Sequence, residues 1–244
     1  MSLDRELERL ARRNQIDYFG IADLESNPVK DFIRMQGGDV ISSYSRAISI
    51  GLVIPNAIVD LLPTANDAIR VIYRHQVYEV LGGRLSAMSS VMTSRLQRDG
   101  YSTFPVPVAV LGIDKERLTA IFSDKLAPHL AGLGWIGKSC MLITPKHGPR
   151  VVWGTILTNA PLFPTGTPMK SRCGSCHACV DICPACAYTG KTFDEAEPRE
   201  SRFNPYACFK YIQENLSPKG QTCGLCLYAC PHGMNHKESE TRSI

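Results

Sequence analysis

The chain has 244 residues, 44% hydrophobic and 20% charged, with a formal net charge of +4. That is enough to bury a full core and a small second domain, in a composition typical of globular proteins. No apolar run reaches a membrane span, the start "MSLDRELERL" lacks the apolar middle of a secretory signal, and the weak charge without a basic block argues against nucleic acid, so a cytoplasmic protein is expected.

From the N terminus, residues 3–14 read as a helix with Leu3, Leu7, Leu10 and Ala11 on one face. "DYFGIADL" and "RAISIGLVIP" read as strands, the second ended by Pro55. The longest helical pattern runs from Asn66 to Gly100, with Ile69, Ile72, Tyr73, Val80, Leu81, Leu85, Met88, Met92 and Leu96 in phase; Gly82 and Gly83 mark a kink or a close backbone approach within it. "YSTFPVPVAVLGID" is extended, because its prolines forbid a helix. A helix is predicted over 114–127, with Asp114 as cap and Pro128 breaking it near its end. A glycine loop follows, then the β-rich runs "CMLITP" and "RVVWGTILT". The alternation predicts an α/β (α+β) core over residues 1–165. "APLFPTGTPMKSR" reads as a proline-rich linker, and residues 166–244 as a second, cysteine-rich module.

The glycine loop "AGLGWIGKSCMLIT" matches the phosphate-loop pattern G-x-x-x-x-G-K-[ST] through Gly132, Gly137, Lys138 and Ser139. A phosphate loop needs a strand before it and a helix after it, so that helix N–H groups face the phosphates. Here the order is helix, loop, strand, and Trp135 and Ile136 occupy positions where a cradle wants slim residues. The remaining readings are a tight turn that packs Trp135 in a core, or a loop that faces a cofactor.

Nine of the ten cysteines lie after position 170, and only Cys140 lies before it. "CGSCHACVDICP" is C-x2-C-x2-C-x3-C-P, the run that builds [4Fe–4S] clusters, in which the fourth cysteine serves the other cluster. The partner motif is Cys208 followed, after the insertion "FKYIQENLSPKGQT", by "CGLCLYACP". Exchanging fourth ligands gives Cys173, Cys176, Cys179 and Cys230 for one cluster, and Cys183, Cys208, Cys223 and Cys226 for the other. Zinc also accepts four cysteines in C-x2-C pairs but requires neither the longer run nor the exchange. A secreted disulfide scaffold would spread its cysteines over a shorter chain. Cys140 and Cys186 are left over and read as small packed thiols. His177 and His232 sit inside the cysteine loops, where they could donate to cluster sulfurs or simply face solvent.

"AGLGWIGKSCMLIT", "GTILTNAPL", "CGSCHACVDICP", "NPYACFKYI" and "CGLCLYACP", in that order, resemble the epoxyqueuosine reductase family and its relatives the reductive dehalogenases. The resemblance covers roughly residues 40–232. It implies a cobalamin-binding α/β core fused to a ferredoxin-like module, with electrons passing through two clusters to cobalt to reduce a substrate. It assigns Gly132, Gly134, Trp135, Gly137 and Lys138 to the cofactor pocket. Two positions depart from the family pattern. Leu118 stands where the family has its proton-donating aspartate, and Tyr78 stands at a family histidine on the long helix, which makes its phenol the candidate catalytic acid. A short form with no further helical region after Cys230 argues against a tRNA substrate. The function expected is an iron–sulfur, cobalamin-dependent reductase of a small molecule, served by a redox partner. The alternative is an electron-transfer protein that reduces a corrinoid protein.

Overall fold

A computed structural model of the chain describes residues 2–26, 29–31, 33, 39–108, 113–114, 118–216 and 222–234. Its central sheet has four antiparallel strands in the order β1 (Tyr18–Asp23), β2 (Arg46–Val53), β8 (Val151–Thr158) and β3 (Thr103–Val106). The register pairs Ile48 with Ile21 on one side and Ile156 on the other. Because strand side chains alternate, Ile48, Ile50, Leu52 and Ile156 share one face. That face packs under α1 (Leu3–Arg13) and α5 (Gly82–Arg98), through Leu7, Ala11, Leu85, Met88, Met92 and Leu96. The α1 helix is tied to α5 by Arg95, whose guanidinium donates to both Glu6 carboxylate oxygens at 2.6 and 3.0 Å.

The opposite face carries smaller side chains: Gly20, Ala22, Ala47, Ser49 and Gly51. They admit α6 (Leu126–Leu130) and the chain around it, with Phe122, Leu126, Ala127, Leu130 and Ala131 closing a second apolar cluster over Ala22, Ala47 and Leu157. Both faces are therefore covered, which is why β2 and β8 read as nearly continuous apolar runs rather than alternating ones. Among the described residues, no helix is long and apolar enough to cross a membrane.

The long helical pattern is present in three parts. After α4 (Asp67–Arg74), capped by Asn66 Oδ1 accepting from Ile69 N at 3.0 Å, the chain widens into a π-helical segment, His75–Leu81, and then resumes as α5. The irregularity thus falls just before Gly82 and Gly83. The helix predicted over 114–127 is not formed, and this is a correction. Ile113–Asp114 (β4) and Thr119–Ala120 (β5) pair as a short antiparallel hairpin, Leu118 has φ 49°, and helix begins only at Leu126. A positive φ at a leucine interrupts any right-handed helix. Pro128 lies in the first turn of α6, where its missing N–H is not needed, so it marks a start rather than an end. Residues 115–117 of that expected helix, 109–112 of the extended run, and 217–221 of the insertion between Cys208 and Cys223 lie outside the described residues.

The proline-rich stretch after β8 is bound to the core. Thr165 N donates to Ile21 O at 2.9 Å, and Ile21 N donates to Thr165 Oγ1 at 3.0 Å. Beyond it come α7 (Ala178–Asp181), α8 (Pro205–Asn215) and α9 (Leu225–Tyr228). Leu225, Leu227 and Tyr228 join the same apolar cluster as Leu85 and Ile50, so the cysteine-rich segment folds onto the core along α9.

Candidate functional site

The glycine loop forms a two-residue hairpin, Trp135–Ile136 (β6) against Leu142–Ile143 (β7). Its order of helix, loop and strand agrees with the reading that set the phosphate loop aside. The loop glycines sit against backbone or side chains. A Cβ on Gly132 would meet Thr167 O at 2.8 Å, on Gly134 Ile143 O at 2.3 Å, and on Gly137 the Ile143 side chain at 2.7 Å. Trp135 is buried with Ile143 and Cys230, its ring edge-on to His232 at 4.9 Å. Lys138 is only 6% exposed. Its ammonium donates to Gly174 O at 2.8 Å and Cys176 O at 3.1 Å, and lies 3.3 Å from His177 Nε2. Among the described residues no carboxylate lies within ion-pair distance of it.

That lysine borders the first cysteine group. Cys173, Cys176, Cys179 and Cys230 ring a space of about 20 Å3 together with Gly137, Lys138, Ser139 and His232. The second group, Cys183, Cys208, Cys223 and Cys226, lines one side of a cavity of about 320 Å3. Each motif supplies its fourth cysteine to the other group. Cys179 on α7 and Cys226 on α9 sit on one-turn helices that pack side by side, and Cys179 acts electrostatically on Cys226. Cys208 is carried by α8, which Asn204 caps through its side-chain oxygen, accepting from Ala207 N at 3.0 Å. Gly224, at φ 70°, opens α9, and a Cβ there would lie 2.7 Å from Leu62 and 3.1 Å from the Tyr73 hydroxyl. Only glycine gives this turn its left-handed geometry and lets the motif approach the core so closely.

Burial pushes the Cys226 and Cys230 thiols up to about 12, and the Cys179 and Cys208 thiols up to about 11, with neighbouring thiols adding to the effect. Tyr188 lines the same cavity as Cys226. Among the described residues, no three His, Cys, Asp or Glu side chains converge on the position of a single metal ion.

The 320 Å3 cavity is otherwise largely apolar, lined by Val77, Met141, Val152 and Trp153, with Tyr73, Tyr78 and Tyr188 as its phenols. Tyr73 and Tyr78 are five residues apart, which is about 140° of rotation on an α-helix. The π-helical segment between them turns both into one cavity, a placement typical of such segments at functional sites. Burial raises the pKa of both phenols, so both are protonated at neutral pH. No periodicity rule signals Tyr73 as a partner of Tyr78.

A second cavity, of about 350 Å3, adjoins the first across Asp124, Lys125, Met141 and Tyr188, and is lined further by Leu118, Ser139, Cys140, Arg199 and Arg202. Thus Tyr78 faces the first cavity and Leu118 the second. Of the five loop residues assigned to a cofactor pocket, Trp135 borders an open groove with His129 and Phe193, and Gly137 and Lys138 border the first cysteine group. The loop positions that reach the two adjoining cavities are Ile136 and Ser139 to Met141. Cys140 is half-buried at φ 54°, while Cys186 is exposed at φ 47°.

No model of a known protein family matches the chain. Curated relatives do. An epoxyqueuosine reductase of Bacillus anthracis is 46% identical over 133 residues, covering 50% of this chain and 34% of the relative. One from Listeria monocytogenes is 33% identical over 129 residues, covering 48% and 31%. The matched stretch therefore spans about a third of each relative's length. Among solved structures, an epoxyqueuosine reductase bound to an epoxyqueuosine-modified tRNA stem loop covers 95% of this chain and 65% of its own, with a TM-score of 0.60 at 22% identity. A catabolic reductive dehalogenase in complex with 3-bromo-4-hydroxybenzoic acid covers 94% of this chain and 31% of its own, with a TM-score of 0.67 at 19% identity. These show a shared mixed α/β fold. The first of these neighbours is thus bound to nucleic acid, a partner that the weak charge of this chain did not lead one to expect. Over the matched half of the chain, the sequence is similar to epoxyqueuosine reductases.

Proposed function

We propose that the chain is an iron–sulfur oxidoreductase that carries electrons through two [4Fe–4S] clusters to a cobalamin or substrate held against the core, and reduces a small molecule. The observation that carries this reading is the sorting of eight cysteines from two motifs into two groups with exchanged fourth members. In this reading Cys173, Cys176, Cys179 and Cys230 hold one cluster, and Cys183, Cys208, Cys223 and Cys226 the other. A zinc ion with Zn–S bonds of about 2.3 Å would hold its sulfurs roughly 3.8 Å apart. A four-iron core instead takes one thiolate at each of its four corners, and zinc requires neither the longer run nor the exchange of fourth ligands. The buried ammonium of Lys138 is independent support. A cation removed from water without a carboxylate is costly unless an anion joins it, and a thiolate-bound cluster is anionic. Because burial holds the thiols protonated, loading iron releases protons and is coupled to folding.

A cobalamin is much larger than either cavity beside Tyr78. In this reading it would span both, which share the wall of Asp124, Lys125, Met141 and Tyr188. Bound there, it would supply a reducing cobalt centre next to the second cysteine group. The chain's own contribution is to exclude water with Val77, Val152 and Trp153, and to hold a proton on Tyr78, whose buried phenol stays neutral. Leu118 supplies no proton.

The size of each cavity favours one further reading, a ferredoxin-like electron-transfer protein that reduces a partner such as a corrinoid protein. In both readings residues 1–165 form the core and 166–244 the cluster module. Anaerobic reconstitution decides the clusters: about eight irons and eight acid-labile sulfides per chain are expected, and zinc overturns them. Hydroxocobalamin that co-elutes and gives a cob(II)alamin signal after reduction supports the reductase. Absence of retention, with rapid reduction of a separate corrinoid protein, selects the electron-transfer reading.

A further inference from the structure

The second cavity is lined by a buried cation that, among the described residues, forms no ion pair. Arg202 is 4% exposed, and its Nε has no hydrogen-bond partner. Its guanidinium lies over the Phe193 ring, 4.6 Å from the centroid, and lines the cavity. The nearby carboxylates have other partners. Asp124 pairs with Lys125, Glu200 accepts from Arg199 at 2.8 Å, and Glu197 accepts from the Ser201 hydroxyl at 2.7 Å. Arg199 also donates to Leu118 O at 2.7 Å. Among the described residues, Arg202 forms no ion pair. Stacking on an aromatic ring offsets only part of the loss of hydration of a buried guanidinium, and its planar fork is suited to two oxygens of one oxyanion.

The surroundings suit such a ligand. Burial raises the Cys140 thiol pKa, and Arg202 is the foremost of the cations that act against that rise, which places its charge near Cys140 in the cavity wall. Phe122, Phe193 and Phe203 supply apolar wall, and Ser139 a hydroxyl.

We propose that this cavity is an oxyanion-binding site built on Arg202, which takes the carboxylate or phosphate of a small molecule whose apolar body lies against the phenylalanines. It deepens the reductase reading by naming a class of substrate, and rests on that reading only for the claim that the ligand is reduced. The site itself stands without the clusters or a cobalamin.

The test is calorimetric titration of the iron-loaded protein at low ionic strength with two probes, inorganic phosphate and benzoate, and with benzamide as the uncharged control. Saturable one-site binding of at least one anion is expected, with benzamide not binding. If only phosphate binds, the site serves a phosphoryl group; if only benzoate binds, an aromatic carboxylate. Arg202→Met weakens binding at least about tenfold, or about 1.4 kcal/mol, while Arg202→Lys retains most of it. Melting temperature and visible absorption check the fold of each variant. A readout on the unaltered chain removes dependence on the variants: the bound anion slows alkylation of Cys140, measured by peptide mass mapping against exposed Cys186. The proposal is overturned if neither anion binds saturably, if folded Arg202→Met binds as the wild type does, or if the bound anion leaves Cys140 unprotected. Failure of the reductase reading shows separately, as zinc in place of iron or as no retained cobalamin.

Discussion

Gly148→Ala separates backbone strain from steric conflict at the seam between the core and the first cysteine group. Gly148 sits at φ 54°, and a Cβ there would lie 2.5 Å from Gly233 N and 2.8 Å from both Gly233 Cα and the His232 carbonyl carbon. Left-handed backbone at a residue other than glycine costs about 1–2 kcal/mol. The clash is with backbone, which cannot rotate away, and overpacking of this kind adds about 1–3 kcal/mol. The total, about 2–5 kcal/mol, is a large part of the roughly 5–15 kcal/mol that holds a domain together. Gly100 is the control, because its φ is 84° and nothing lies within 4 Å of an added Cβ. It carries the conformational cost alone. For a chain of this size, about 2–4 °C is lost per kcal/mol, so Gly100→Ala should lower the melting temperature by about 2–8 °C and Gly148→Ala by roughly 4–20 °C. The strained backbone adjoins Cys230, whose carbonyl accepts from Gly233 N at 3.1 Å. Gly148→Ala should therefore also lower iron content, with the signal of the cluster assigned to Cys230 lost first. Equal melting shifts in the two variants, or full iron in Gly148→Ala, would refute the reasoning.

Three further outcomes are expected. Lys138→Met should lower the midpoint potential of the first cluster on the order of 100 mV, since a unit charge about 8 Å away at an effective dielectric near 20 is worth about 2 kcal/mol; potentiometric EPR reads this, and an unchanged potential in a protein with full iron counts against the lysine as counter-charge. Tyr188→Phe removes a polar hydroxyl from the cavity wall it shares with Cys226 and should lower the potential of the proposed second cluster while leaving the first in place, by the same measurement. His129 is buried against Phe193 and pairs through Nδ1 with Gly134 O at 3.2 Å, and burial lowers its pKa. The unfolded chain then binds the extra proton first, so stability should fall as pH drops below about 6.5, and His129→Gln should flatten that part of the melting-temperature profile.

How much of this was legible in the sequence depends on how local each signal is. The face of α1 and the apolar runs of β2 and β8 are local patterns, and the structure has α1 and both strands; the eight motif cysteines line two separate cavities, four in each. The helix expected over 114–127 failed because apolar spacing there coincides with a hairpin, where a leucine at positive φ and the β-branched Thr119 and Ile121 outweigh periodicity. Pro128 was informative but was read in the wrong direction. The π-helical segment that brings Tyr73 beside Tyr78 has no compositional mark beyond the two glycines that follow it.

Lys138 and Arg202 show the limit more sharply. In sequence the lysine completes a phosphate-loop pattern, and the arginine is one of many cations in a polar stretch. What distinguishes them is what the fold puts around them: carbonyls from Gly174 and Cys176, 36 and 38 residues away, for one, and a phenylalanine ring with no carboxylate for the other. Burying two cations without carboxylates would be hard to reconcile with a stable fold if nothing anionic met them. The first adjoins a cysteine group whose metal-bound form is anionic; the second opens on a cavity with room for a small molecule. The placement of charge thus ties the two proposals together physically: each asks that a buried cation, Lys138 beside the first cysteine group or Arg202 in the second cavity, be met by an anion.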